Sequence, residues 1–218
     1  MELEQALNSR RSVRIFLDKP VEKEKLAVLI MAGNLAPSAC NKQAWKFIMV
    51  DKDDLKNRLV DEGGSMVIKN APTGILVLYH NQTLGSDYHD DIQSAAASIE
   101  NILLKAVELG LGGCWICHLP PAKIIRKIFK IPENFTPVSY LLLGYPAKEP
   151  QNVPRQYSLA EIMNYNEFNQ NWPKEKNNSS LLFFKKILVK IYYLSPAFIK
   201  KIFLNKLLDK RFVKKFEN

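Results

Sequence analysis

The stretch D-D-I-Q-S-A-A-A-S-I-E-N-I-L-L-K-A-V-E-L-G-L-G-G-C-W-I-C, residues 90–117, holds the strongest structural pattern in the chain. From Ile92 to Leu109 its apolar residues recur three and four positions apart, which predicts an amphipathic helix over residues 90–109. The glycines of residues 110–113 end this helix, and residues 114–117 predict a strand. The small residues 95–98 would let another helix approach closely, either in the core or at a subunit interface.

Outside this stretch the chain alternates irregularly between helical and strand patterns. Leu3 and Leu7 predict a short first helix that ends near an arginine cluster. Further helices are predicted over residues 21–35 and 121–129, and further strands over residues 47–50, 74–79 and 138–143. Because the order lacks a regular βαβ repeat, we predict the α+β class, with a central mixed or antiparallel sheet flanked by helices.

The charge of the chain divides it into two parts. The 218 residues carry a net charge of +9, which arises entirely after residue 173, because the preceding residues are balanced. We therefore predict one folded domain over residues 1–172 and a basic amphipathic extension over residues 173–218.

Composition also limits the compartment and the kind of protein. The first residues are acidic, without the apolar core of a secretory signal, and no run approaches the ~20 apolar residues of a spanning helix. Three cysteines, an odd number, do not suggest a disulfide scaffold. We expect a cytoplasmic protein with reduced thiols.

Two segments supply the candidate binding residues. Arg10-Arg11-Ser12-Val13-Arg14 places three guanidinium groups and a hydroxyl within five residues, and guanidinium suits phosphate or the anionic edge of a reduced ring. Residues 37–45 add short polar side chains and loop backbone before the aromatic Trp45. Together they predict a site for a phosphorylated, ring-bearing cofactor.

Four separated segments, in this order, resemble the nitroreductase family over about residues 1–165. They are residues 10–16, residues 37–45, the glycine run with Cys114-Trp115-Ile116, and Leu143-Gly144-Tyr145-Pro146 with Arg155 after it. The resemblance implies a homodimeric α+β fold that holds one FMN per subunit at the dimer interface.

The resemblance also implies roles for individual residues. Arg10 and Arg155 would contact the FMN phosphate, with Arg11 in the same cluster. Ser12 and Arg14 would reach the pyrimidine edge of the isoalloxazine, where Arg14 would stabilise the negative charge that collects on reduction. The other implied contacts are the backbone of Pro37, Ser38 and Ala39, the side chains of Asn41 and Gln43, and the backbone near N5 at Ile116, Cys117 and His118.

Three positions depart from the family pattern. Ala44 replaces the usual proline after the glutamine, and Cys117 with His118 replaces a small residue beside N5. The family often places an amide side chain before the second strand, and the aligned residues 63–65 offer none.

Residues 114–118 also spell C-x-x-C-H, which has several interpretations. Covalent haem attachment would need export, a thioredoxin-like pair would need to open a helix, and zinc would need two more ligands. We favour buried strand cysteines, no metal, and His118 as a pocket-wall residue.

The implied activity is transfer of hydride from NADH or NADPH to FMN and then, by a ping-pong scheme, to a nitroaromatic or quinone-like acceptor, without a dedicated catalytic side chain. One alternative is a flavoenzyme of the same fold that does not use NAD(P)H and acts on a membrane-associated or biosynthetic intermediate. A second is a non-catalytic flavin-binding or membrane-docking protein.

The basic extension interleaves lysines with aliphatic and aromatic residues over residues 181–215. Ser195-Pro196 would divide it into helices over residues 181–194 and 196–208. Such helices can lie on an anionic membrane, or their apolar faces can pack on the body of the protein. Nucleic acid is disfavoured, because the aromatics form no stacking platform.

Overall fold

A four-stranded antiparallel sheet lies at the centre of the computed structural model, which describes residues 1–81 and 88–168 together with residues 187 and 195. The strands, in spatial order β1-β2-β4-β3, are β1 (Trp45–Val50), β2 (Thr73–His80), β3 (Gly112–Ile116) and β4 (Phe135–Gly144). The predicted α+β class and each predicted strand are confirmed.

Helices cover both faces of this sheet. They are α1 (Leu3–Ser9), α2 (Lys23–Asn34), α3 (Asp53–Asp61), α4 (Asp90–Glu108) and α5 (Ala122–Phe129), with short 3₁₀ turns at Ala39–Asn41 and Met66–Asn70. A sixth short helix, α6 (Leu159–Ile162), belongs to a second compact unit that begins at Gln151, whereas the sheet belongs to the first, Met1–Pro150.

The central pair of strands is irregular at one point. β2 and β4 pair from Thr73 with Leu143 to His80 with Phe135, and their register shifts between Val77 and Leu78. The shift lies beside Pro137, which has no N–H to donate to the ladder. The strand therefore continues through a proline and begins three residues before the predicted start at residue 138.

The close approach of another helix, predicted from small residues on α4, is confirmed within the subunit. Gly33 of α2 lies so near α4 that a Cβ built there would be 2.8 Å from the Ile102 side chain and 2.9 Å from Ser98 Oγ. Ile102 and Ser98 are both fully buried. Glycine thus allows α2 to pack directly on α4.

The glycine run after α4 serves two elements. Gly110 takes φ +72° and donates its N–H to Val107 O at 3.0 Å, while Leu111 donates to Ala106 O at 2.8 Å, which is a Schellman cap. Gly112 already belongs to β3 and pairs with Gly144. The strand therefore begins two residues earlier than predicted.

Helix α3 has no counterpart among the predicted elements. Its apolar residues are few, yet Leu59 and Val60 are buried in a core on the sheet face opposite α4. Among the described helices none is long and apolar enough to cross a membrane. The two helices predicted at residues 181–194 and 196–208, and the boundary predicted at residue 172, lie outside the described residues.

Candidate functional site

The arginine segment begins where α1 ends. Arg10 caps the C-terminus of α1 by donating its N–H to Ala6 O at 2.9 Å, and its Nε lies 3.2 Å from Glu100 Oε1 on α4. Arg11 is half-buried and donates from Nη1 to the Arg10 carbonyl at 2.7 Å. The first two arginines are therefore held beside α4 as the chain leaves the helix.

The following residues lie along the outer edge of β3. Ser12 forms a parallel bridge with Gly113, and Val13 donates its N–H to Gly113 O at 2.9 Å. Glycine at 112 allows this approach, because a Cβ there would lie 2.6 Å from Val13. Ser12 is exposed and Arg14 is half-buried, so both can contact a ligand at this edge.

The Gly-Tyr-Pro segment, residues 144–146, holds the chain that follows Arg14. Leu17 donates its N–H to Tyr145 O at 2.8 Å, and Phe16 bridges Pro146. The Tyr145 hydroxyl donates to Glu22 at 2.6 Å and accepts from Lys25 Nζ at 2.8 Å.

These two hydrogen bonds shift the pKa values of Glu22 and Lys25, the two partners of the Tyr145 hydroxyl. The hydrogen bond from Tyr145 lowers the pKa of Glu22, and the hydrogen bond to Tyr145 raises the pKa of Lys25. Both groups therefore remain charged at neutral pH. The structure thus brings residues 10–16, the start of β3 and residues 143–146 together in one subunit.

The remaining motif segment, residues 37–43, is a strained loop fixed to α4. Cys40, Asn41 and Gln43 all take positive φ, between 48° and 53°, which is unfavourable for cysteine and glutamine. Ala39 donates its N–H to Ser94 Oγ at 3.1 Å, and Ser94 is buried in α4. Strain of this kind persists only where the surroundings hold the backbone in place.

Side chains inside the loop also hold one another. Ser38 Oγ accepts the Gln43 N–H at 2.9 Å, and Gln43 Nε2 donates to Asn41 Oδ1 at 2.7 Å. Pro37, Asn41 and Gln43 are exposed. The loop therefore presents pre-positioned amide groups at the surface.

The end of β3 passes from the core to the surface. Ile116 is buried and its carbonyl accepts from Ser139 Oγ at 2.9 Å, whereas Cys117 is exposed. The carbonyl of His118, a half-buried residue, accepts the Ser65 N–H at 3.0 Å. Both carbonyls on either side of Cys117 are thus fixed by hydrogen bonds.

The cysteine prediction is correct for one residue and wrong for another. Cys114 is buried, and burial raises the pKa of its thiol. Cys117 is exposed, because β3 ends at Ile116 and the chain turns outward there. Within residues 1–81 and 88–168 no cluster of three potential metal ligands occurs.

Two residues that sequence analysis missed support the arginine segment. Asn70, immediately before β2, donates from Nδ2 to the Arg14 carbonyl at 3.2 Å. Residues 63–65 offer no amide side chain, whereas Asn70 presents one just before the breaker Ala71-Pro72. Buried Lys56 of α3 donates to the Ala71 carbonyl at 3.0 Å and so fixes the backbone beside Asn70.

Arg155 lies in the second unit. It is exposed, in an extended segment before α6, whose Ser158 and Glu161 form a capping box. Its contact with a phosphate remains a prediction.

The donor set of the first unit fits a phosphorylated, planar ligand. Its guanidinium groups suit phosphate oxygens, and the hydroxyl of Ser12 with the amides of Asn41, Gln43 and Asn70 suits a ring edge with several hydrogen-bonding atoms. The positive charges would also stabilise an anion that develops on such a ring.

Proteins of one kind resemble this chain in sequence and in structure. A sequence model described as the nitroreductase family matches residues 7–69 and 61–145. A protein of Archaeoglobus fulgidus, provisionally named an NADH dehydrogenase/NAD(P)H nitroreductase, is 35% identical over 145 residues, which span 65% of this chain and 83% of that protein. An FMN reductase [NAD(P)H] of Bacillus subtilis is 28% identical over 71% of this chain and 70% of its own length.

Solved structures agree with these sequence matches. The structure of an FMN-dependent nitroreductase from Clostridium difficile superposes with a TM-score of 0.63 and 30% identity, covering 75% of this chain and 98% of that one.

Proposed function

This chain belongs to the nitroreductase family, and from that premise we propose that it is an FMN-dependent oxidoreductase that takes hydride from NADH or NADPH. The observation that carries the proposal is the convergence of residues 10–14, the start of β3 and Asn70 at one edge of the sheet. FMN, when bound, would accept hydride at N5 and pass it on in a ping-pong scheme.

The residues of this edge divide into two groups by the part of FMN that they would hold. Arg10 and Arg11 would bind the phosphate. Ser12, Arg14 and Asn70 would bind the pyrimidine edge of the ring, and Asn70 would supply an amide that residues 63–65 do not offer. The positive charge of Arg14 would favour the reduced, anionic ring.

The strained loop of residues 37–43 would complete the site from the partner subunit of a homodimer. Large apolar side chains on α1 and α2 support such a dimer, because Leu3, Met31 and Leu35 are 67%, 68% and 82% exposed. Burial of these side chains against a second protomer would be favourable. Light scattering coupled to gel filtration should give twice the chain mass, and a monomer mass at micromolar concentration would contradict the dimer.

We further propose that the acceptor is a small organic molecule such as a nitroaromatic or a quinone. The names of the related proteins support a nicotinamide donor. The hydrogen bonds to the carbonyls of Ile116 and His118 would hold the backbone on either side of Cys117 beside the reacting position. We propose that the chemistry takes place on FMN without a dedicated catalytic side chain.

The test is an absorption spectrum of the purified protein, repeated anaerobically after addition of NADH or NADPH. Flavin bands that bleach promptly support the proposal. Flavin bands that persist would still show that the protein binds FMN, but they would favour a flavoenzyme of the same fold that does not use NAD(P)H. A colourless protein that cannot be reconstituted with FMN would refute the proposal.

The variant Arg14→Ala tests the site itself. We expect weaker FMN retention and flavin reduction slower by about tenfold to a hundredfold, since one charge-assisted contact contributes about 1.5–3 kcal/mol. Arg58→Ala, which removes an exposed arginine of α3, is the matched control. Normal cofactor content and normal rate in Arg14→Ala would remove its proposed role.

A further inference from the structure

The ion pair between Arg10 and Glu100 is unexplained by the proposed function, because it places a carboxylate beside an anion-binding arginine. Arg10 Nε lies 3.2 Å from Glu100 Oε1, and the two side chains are 24% and 43% exposed. The negative charge of Glu100 weakens the attraction of this site for phosphate. The geometry of the ion pair indicates a compensating role for Glu100.

The pair engages Arg10 through Nε, the inner nitrogen of the guanidinium group. A guanidinium group binds phosphate most strongly through two parallel N–H groups. Because Nε is the atom that meets Glu100, the two terminal nitrogens stay available for such a bidentate contact.

The two partners differ in how firmly the fold holds them. Arg10 follows the seven-residue helix α1, in which only Ala6 is buried and Leu3 and Leu7 are largely exposed. Glu100 lies in the middle of α4, next to the fully buried Ile99. The rigid helix therefore orients an arginine that its own short helix cannot.

From these observations, and resting on the function proposed above, we propose that Glu100 is a positioning residue for the cofactor phosphate. It fixes the Arg10 guanidinium before the ligand arrives, so that less side-chain entropy is lost on binding. The cluster keeps a net positive charge, because Arg11 and Arg14 add to Arg10.

The test compares the affinities of FMN and riboflavin, which differ by the phosphate alone, in the full-length apoprotein by flavin fluorescence. Glu100→Ala should weaken FMN binding about threefold to tenfold, the effect of freeing one long side chain, and leave riboflavin binding unchanged. Glu100→Gln keeps an oxygen that accepts from Nε and should restore FMN binding to within about twofold. Glu108→Ala, which breaks the exposed pair with Lys105 on the same helix, is the control.

A double-mutant cycle shows whether the effect passes through Arg10. In the Arg10→Ala background, Glu100→Ala should no longer change FMN affinity. Equal weakening of FMN and riboflavin by Glu100→Ala, tighter FMN binding, or an unchanged effect in the Arg10→Ala background would each overturn the proposal. Failure of the wild-type protein to bind either flavin would instead refute the proposed function.

Discussion

Lys56 brings a positive charge into the interior, where it is 4% exposed and donates to the Ala71 carbonyl. Its Nζ also lies 2.8 Å from Asp53 Oδ1, one turn earlier on α3. Asn70, the neighbour of Ala71 in sequence, donates in turn to the Arg14 carbonyl. A series of contacts therefore runs from a surface carboxylate to the backbone of the arginine segment.

We expect Asp53→Asn to lower the melting temperature at pH 7. The hydrogen bond from Lys56 lowers the pKa of Asp53 below its ordinary value of 3.8, so the stabilisation is present above that value and is lost as the pH falls through the lowered one. The melting curves of wild type and variant should therefore converge on acidification below about pH 4. Calorimetry between pH 3 and pH 7 measures this, and a constant difference across that range would contradict it.

The three thiols should react with an alkylating reagent at two different rates. Cys40 and Cys117 are exposed, whereas Cys114 is buried and burial raises the pKa of its thiol. At pH 8, mass spectrometry should show two rapid modifications in the native protein and a third only after unfolding. Rapid labelling of Cys114 in the folded protein would contradict its placement in the core.

At the scale of elements, the contact between α2 and α4 depends on the missing side chain of Gly33. An alanine there would gain about 1 kcal/mol in helix propensity, but its Cβ would meet Ile102 and Ser98 at less than 3 Å. Both of those residues are fully buried and cannot move outward. The steric cost of the added Cβ therefore exceeds the gain in helix propensity.

Gly33→Ala should lower the free energy of unfolding by about 1–2 kcal/mol, measured by urea denaturation. Adding Ile102→Ala removes both atoms, Cδ1 and Cγ1, that the new Cβ would meet at 2.8 Å, so the loss in the double variant should be smaller than the sum of the single losses. Strict additivity would show that the two helices do not meet at these residues.

The elements that could be predicted from sequence are those whose bounds are set by the residues within the element itself. Helix α4 begins at the predicted residue and ends one residue early, because its apolar stripe is continuous and its Schellman cap is local. The extra residues of β4 and the early start of β3 depend on pairing partners distant in sequence, Phe135 with His80 and Gly112 with Gly144. Periodicity within one segment cannot reveal such pairs.

The candidate site follows the same division. Residues 10–14 and 37–45 can be recognised from sequence, because clustered guanidinium groups and short polar side chains in a loop suit a phosphorylated, ring-bearing ligand. Asn70 and Lys56 were missed, because a single asparagine or lysine has no pattern, and their roles arise only from contacts with Arg14 and Ala71. The exposure of Cys117 was likewise set by where the pairing of β3 stops.

At the scale of the whole molecule, the excess positive charge lies in the basic extension beyond the described residues. Membrane contact through residues 181–215 remains a prediction from the sequence. Each lysine or arginine near an anionic surface contributes about 1 kcal/mol. The number of basic residues in the extension is therefore sufficient for strong adsorption if its helices lie on the bilayer.

Sedimentation with vesicles tests that contact. The full-length protein should bind phosphatidylserine vesicles but not phosphatidylcholine vesicles, and binding should weaken as salt is raised. A chain that ends at Trp172 is the matched comparison. Equal binding by the two chains would show that the extension does not dock on membranes.

The strand order also determines when the protein can fold during synthesis. β3 pairs with β4, and β2 pairs with β4 on its other side, so β4, which is synthesised after the other three described strands, joins the sheet. Until Gly144 has left the ribosome, β1 and β2 are the described strands that can pair fully, and the edge of β2 that pairs with β4 stays uncovered. Contacts this distant in sequence form slowly and expose apolar surface to aggregation in the meantime. The nascent chain is therefore most vulnerable, and most in need of a chaperone, between the synthesis of α4 and the completion of β4.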